Sequence, residues 1–269
     1  MSLLQAILLG IIQGICEFLP VSSSGHLILM ERLFGISEGG MFFVVMVHLG
    51  TLAAVLIVYW KTFVNLICHP RQKMTGLLLC STVPTVVIAL IIKKVPFFAS
   101  FFQKVESGSC LGYCFLITAV FLLAAEFLQT PDIRRKPLSR MTWRDSVTVG
   151  CIQGLAVLPG VSRTGMVLSG SLLCGMSKKA AADYSFLLSI ISITGGIVLE
   201  IPDTIRQGFS GISWWVILAG TLSAFVTGLF SIRLMLKIIR KGKLYWFAGY
   251  AALIGVALLI NQLLTVPII

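Results

Sequence analysis

The chain has 269 residues, 57% of them hydrophobic and 12% charged, with a mean hydropathy of +0.99. Soluble domains carry about 25% charged residues, so the composition excludes a soluble globular protein and defines an all-α integral membrane protein. The formal net charge of +11 would suit nucleic acid in a soluble protein. Here the basic residues cluster in short loops between apolar runs, where they set orientation, and no nucleic-acid partner is expected.

Leu3 to Leu19 reads as a helix stopped by Pro20, which has no N–H to donate and disfavours helix in the residue before it. It lacks a basic leader and a small-residue cleavage site, so it is expected to belong to the mature protein. Ser22 to Ser24 can cap a second, short helix to about Leu33, and Gly35, Gly39 and Gly40 follow. Clearer spans run over about Phe42 to Trp60, Leu77 to Ile92 (with Pro84 as an expected kink) and Leu111 to Leu128, since about 20 apolar residues cross the hydrocarbon. Thr130 to Arg144 is the longest polar linker and holds Arg134, Arg135, Lys136, Arg140 and Arg144. A helix from about Arg144 to Leu158 then stops at Pro159, and a short helix follows to Cys174. Spans are expected over about Tyr184 to Leu199, Trp214 to Leu234 and Tyr245 to Leu264. The seven cysteines are scattered, form no Cys-x-x-Cys pair, and read as small apolar residues.

The second half repeats the first. Gly10, Ile12, Gln13, Gly14, Val21, Ser22 and Gly25 recur at an offset of 140 as Gly150, Ile152, Gln153, Gly154, Val161, Ser162 and Gly165. The chain therefore reads as a single membrane domain, 1–269, built as an inverted-topology repeat of halves at about 1–129 and 141–269. Each half is a re-entrant helical hairpin plus three transmembrane helices, six in all. With hairpins that enter and leave on one side, one face collects 15 Lys and Arg and the other 5. The positive-inside rule puts the first face in the cytoplasm, both termini outside, and the site open to the outer side. Re-entrant arms let the two tips meet near the midplane, where irregular backbone is allowed if protein buries it.

The tips hold polar groups that are costly in a membrane and point to function. Gln13 and Glu17 share one helix face, and Glu17 can hold a divalent cation or act as a base; the bland alternative is a buried, hydrogen-bonded acid. Ser22, Ser23 and Ser24 can cap a helix or, with Thr164 and Gly165 at the matching start, line an anion site. Arg163 has the fork that matches phosphate, or it forms an internal ion pair with Glu17. His26 can shuttle a proton or merely pack. His48 and His69 lack polar context and read as structural. A serine and a histidine three residues on, with an acid and Arg163, suggest phosphoryl transfer, which relies on positioning and charge neutralisation.

Gln13-x-x-x-Glu17 followed by Phe-Leu-Pro-Val-Ser-Ser-Ser-Gly-His, then Pro-Gly-Val-Ser-Arg-Thr-Gly from Pro159 to Gly165, resembles the undecaprenyl-diphosphate phosphatases of the bacitracin-resistance type. The run from Lys179 to Ser189 is similar too, and the resemblance covers essentially the whole chain. It implies a bacterial inner-membrane enzyme that removes the terminal phosphate of undecaprenyl diphosphate on the outer side. It also implies a divalent cation, Mg²⁺ or Ca²⁺, and it allows a homodimer among membrane lipids. By the same resemblance, Gln13 and Glu17 serve metal or phosphate, Ser23 supplies hydroxyl chemistry, His26 carries a proton, and Ser162 and Arg163 bind phosphate. Two positions depart from the family. Gln13 stands where many members have Glu, which leaves Glu17 as the only carboxylate of the motif. Val167 stands where a Thr is common. A transporter or flippase for a phosphorylated lipid or small anion is the alternative reading, since inverted repeats with broken helices are also a transporter plan.

Overall fold

The computed structural model describes residues 1–36, 40–129, 135–207, 211–241 and 243–264, apart from the side chains of Asp203, Gln207, Arg240 and Lys241. Gly39, the linker start from Thr130 to Arg134, and the C-terminal end at 265–269, on which expectations were placed, lie outside the described residues.

The first hairpin is α1 (Leu3–Phe18) and α2 (Ser23–Leu33). Ser2 and Gln5 form a capping box that starts α1, and α1 ends at Leu19, just before Pro20. The Ser22 side chain accepts from the Gly25 N–H and caps α2. The second hairpin is built alike. Thr142 and Asp145 form a capping box for α8 (Trp143–Gly154), a 3-10 turn at Leu155–Val157 precedes Pro159, and Ser162 caps α9 (Arg163–Leu173).

Among the described residues six further helices are long and apolar enough to cross a membrane, and the protein is a multi-pass membrane protein. They are α3 (Met41–Val58), α5 (Lys73–Lys94), α7 (Leu111–Leu128), α10 (Lys178–Gln207), α11 (Trp214–Lys241) and α12 (Tyr245–Leu263). Helix α5 runs unbroken through Pro84, and α10 is longer than its apolar stretch predicts. Two short helices were not foreseen: α4 (Trp60–Cys68) and α6 (Pro96–Glu106). Neither is long enough to span. Both present large apolar side chains outward, Trp60 and Ile67 on α4 and Phe97 and Phe98 on α6, as helices lying along a bilayer surface do.

Packing crosses between the halves. Helix α1 lies against α11, and α8 lies against α5; α7 pairs with α12 and α3 with α10. Glycines permit the closest of these approaches. A Cβ on Gly10 would collide with the Gly220 carbonyl oxygen of α11, and one on its counterpart Gly150 with the Ser81 carbonyl oxygen of α5. Gly14 against Thr227 and Gly154 against Ile88 repeat the pattern one turn on. Close backbone contact through small residues is how membrane helices associate, since lipid supplies no hydrophobic drive between them. The linker is tied to the turn after α9: the Lys136 N–H donates to the Gly175 carbonyl at 2.8 Å, and its ammonium pairs with Asp145 at 2.9 Å.

Candidate active site

The two tips meet. A Cβ on Gly25 would lie 2.9 Å from Gly160 Cα, and one on Gly165 3.3 Å from Pro20 Cβ. The 140-residue offset carries each of these pairs onto the other. Gly160, at φ +89°, makes a turn that L side chains rarely adopt. Its N–H donates to Ser24 Oγ at 3.4 Å. Thr118 Oγ1 of α7 accepts from the Ser162 N–H at 2.9 Å and donates to the Gly160 carbonyl.

Glu17 lies at the centre, with its side chain 3% exposed. Oε1 pairs with the Arg163 guanidinium, which also donates to the Ser189 carbonyl at 3.3 Å. Oε2 accepts from Ser23 Oγ at 2.5 Å and from Gln13 Nε2 at 3.0 Å. The backbone carbonyl of Glu17 accepts from Thr164 Oγ1 at 2.9 Å. One carboxylate thus gathers a hydroxyl from the first motif and a cation from the second. Burial of the pair is tolerable because every charge has a partner. Ser23 and Arg163 are only partly buried, so the sealed acid is approached past them.

Gln13, Glu17, Ser23, Arg163 and Thr164 are therefore brought together as the sequence predicts. Ser22, Ser24 and Ser162 face the junction of the tips instead. Ser22 and Ser162 cap their helices, and Ser162 Oγ holds the Gly165 N–H at 3.1 Å. That N–H was expected to face an anion and is already paired. His26 stands off from the carboxylate. Its Nδ1 lies 2.7 Å from the Ser22 carbonyl and its Nε2 2.7 Å from the Tyr250 hydroxyl of α12. Ser22 reaches this arrangement at φ +70°, a strained conformation for a residue with a Cβ.

His48, read from the sequence as structural for want of polar context, has an acid beside it. It projects from α3 to within 4.0 Å of Glu17 Oε2, while its Nδ1 is held by the Val44 carbonyl at 2.8 Å. No local pattern marked it, because its partner lies on another helix. Tyr250 was missed for the same reason.

The donor set suits a hard cation in part. Gln13 Oε1 is buried without a partner, one amide away from the carboxylate. Among the described residues no three His, Cys, Asp or Glu side chains cluster as a metal site. Such a set fits Mg²⁺ or Ca²⁺ only when phosphate oxygens complete the shell, the usual arrangement for Mg²⁺.

Fold and site define a multi-pass membrane protein whose two pseudo-repeated hairpins enclose an acid, a hydroxyl and a guanidinium. The chain belongs to the bacitracin resistance protein BacA family, whose model matches residues 6–257. It is 40% identical over 265 residues to an undecaprenyl-diphosphatase of Carboxydothermus hydrogenoformans, covering 97% of this chain and 98% of that one. It is 38% identical to one of Halothermothrix orenii, again at 97% and 98%, and 36% identical to one of Alkaliphilus metalliredigens, at 98% and 100%.

Proposed function

We propose that this protein hydrolyses undecaprenyl diphosphate to undecaprenyl phosphate and inorganic phosphate, renewing the lipid carrier of cell-wall glycan synthesis. The observation that carries the reading is the Glu17 carboxylate bonded at once to Ser23 and Arg163. An anion transporter needs the guanidinium but not a hydroxyl donating to a buried base, so hydrolysis is favoured over transport.

In this reading Arg163 exchanges part of its hold on Glu17 for the terminal phosphate, which its fork matches. Ser23 attacks the terminal phosphorus while Glu17 takes its proton. The bridging oxygen leaves with undecaprenyl phosphate, and water then cleaves the phosphoserine. Ser22, Ser24, Ser162, Thr164 and Gly165 hold the two helix starts together beside the phosphate. His26 carries a proton. A divalent cation would be held by Glu17 and Gln13 and would neutralise charge on the diphosphate.

The halves 1–129 and 141–269 are read as inverted in the bacterial plasma membrane. Both termini are placed outside, and the site opens to the outer side. The deciding experiment is phosphate release by purified protein from a long-chain prenyl diphosphate, with and without magnesium. Release that depends on magnesium is expected. No release removes the proposed activity, and release indifferent to chelation removes the cation.

A further inference from the structure

The contact between the first motif and the last helix has no assigned purpose. A carbonyl oxygen only accepts, so the 2.7 Å contact with Ser22 places the proton of neutral His26 on Nδ1. Nε2 then holds the lone pair, and the Tyr250 hydroxyl, 2.7 Å away, donates to it. The two rings are stacked, with centroids 5.7 Å apart and planes 5° from parallel. Phe115 closes on His26 edge-on at 5.3 Å. His26 itself is 5% exposed, whereas Tyr250 is 42% exposed. The ring is thereby fixed in tautomer, tilt and direction. Its basic nitrogen is covered by the Tyr250 hydroxyl.

We propose that Tyr250 is a positioning residue for the reaction. It holds His26 as the Nδ1–H tautomer with Nε2 turned to its own hydroxyl, and the proton that His26 exchanges passes at Nε2 beside that hydroxyl. This rests on the proton role read for His26. Tyr250 has no bond to the Glu17 carboxylate, whose hydrogen-bonding partners are Gln13, Ser23 and Arg163. It therefore acts through the histidine and through no other group of the site.

The test is a double-mutant cycle on the purified protein with a long-chain prenyl diphosphate. Tyr250→Phe keeps the stacked ring and loses only the donor. It should lower kcat about tenfold with KM within about twofold, a fraction of what a positioned proton-transfer group contributes. His26→Gln should cost more, and Tyr250→Phe added to His26→Gln should cost nothing further. The chain has three histidines, so ¹⁵N-histidine labelling gives a resolvable spectrum that His26→Gln assigns. Wild type should show His26 protonated at Nδ1, and Tyr250→Phe should move its Nε2 resonance. Wild-type kcat in Tyr250→Phe, a further loss in the double variant, or an unmoved Nε2 resonance overturns the proposal and leaves His26 in its role. Wild-type kcat in His26→Gln would instead remove the proton role of His26, and the proposal with it.

Discussion

At the scale of single residues, the energetics turn on one buried charge pair. Removing one partner of such a pair strands the other, at a cost of about 3–5 kcal/mol. Arg163→Ala should therefore lose nearly all phosphate release and also lower the thermal midpoint in detergent. Arg163→Lys should recover activity only in part, because it cannot form the bidentate fork. The double variant Glu17→Gln/Arg163→Gln separates the two effects: it should regain stability and stay inactive. Full turnover in Arg163→Ala would end the phosphate role. Glu17→Gln alone should abolish release at every magnesium concentration. Gln13→Glu should remain active and need less magnesium for half its maximal rate, since it restores a second anionic oxygen; a rise in that concentration would count against Gln13 as a cation-facing residue. That Glu17 and Arg163 would meet was legible in the sequence, because each lies in a copy of one motif and each is costly in lipid unless paired. His48 and Tyr250 were not legible. Each sits in an ordinary apolar helix, and only packing shows that its ring points at the site.

At the scale of elements, glycine separates close contacts from mere composition. Gly10 and Gly150 sit where a Cβ would strike the backbone of the facing helix, whereas Gly195 of α10 has nothing within 4 Å of that position. Gly195→Ala should raise thermal stability slightly, by about 0.5–1 kcal/mol, because alanine loses less backbone freedom in a helix. Gly10→Ala and Gly150→Ala should lower it, and an unchanged midpoint in both would show that the α1–α11 and α8–α5 contacts are looser than described. The spans and hairpin breaks were legible from apolar length, proline and capping serines. Helices α4 and α6 were not, since apolar runs mark what crosses the bilayer and say little about short amphipathic pieces at its surface. That α5 passes through Pro84 as one span was legible as well. Its packing against Gly150 belongs to tertiary structure, not to local propensity.

At the scale of the whole molecule, the proposed orientation rests on the basic loops, and thiol labelling checks it. A membrane-impermeant reagent applied to intact cells should reach a cysteine at position 2 in a variant lacking the native cysteines. A cysteine at position 139 should react only after the membrane is opened. The reverse result would invert the orientation and put the site on the wrong face. The exchange of hairpins between halves carries a further consequence, for synthesis. The glycine face of α1 leaves the ribosome early, but its partner around Gly220 is made only after most of the chain has entered the membrane. Until then α1 has no partner for that face, while α8 meets a waiting α5 as soon as it appears. Maturation should thus close in a set order, the later hairpin docking first and the earlier one last. A chain halted before α11 would hold Glu17 and Arg163 in one polypeptide with α1 still lacking its seat.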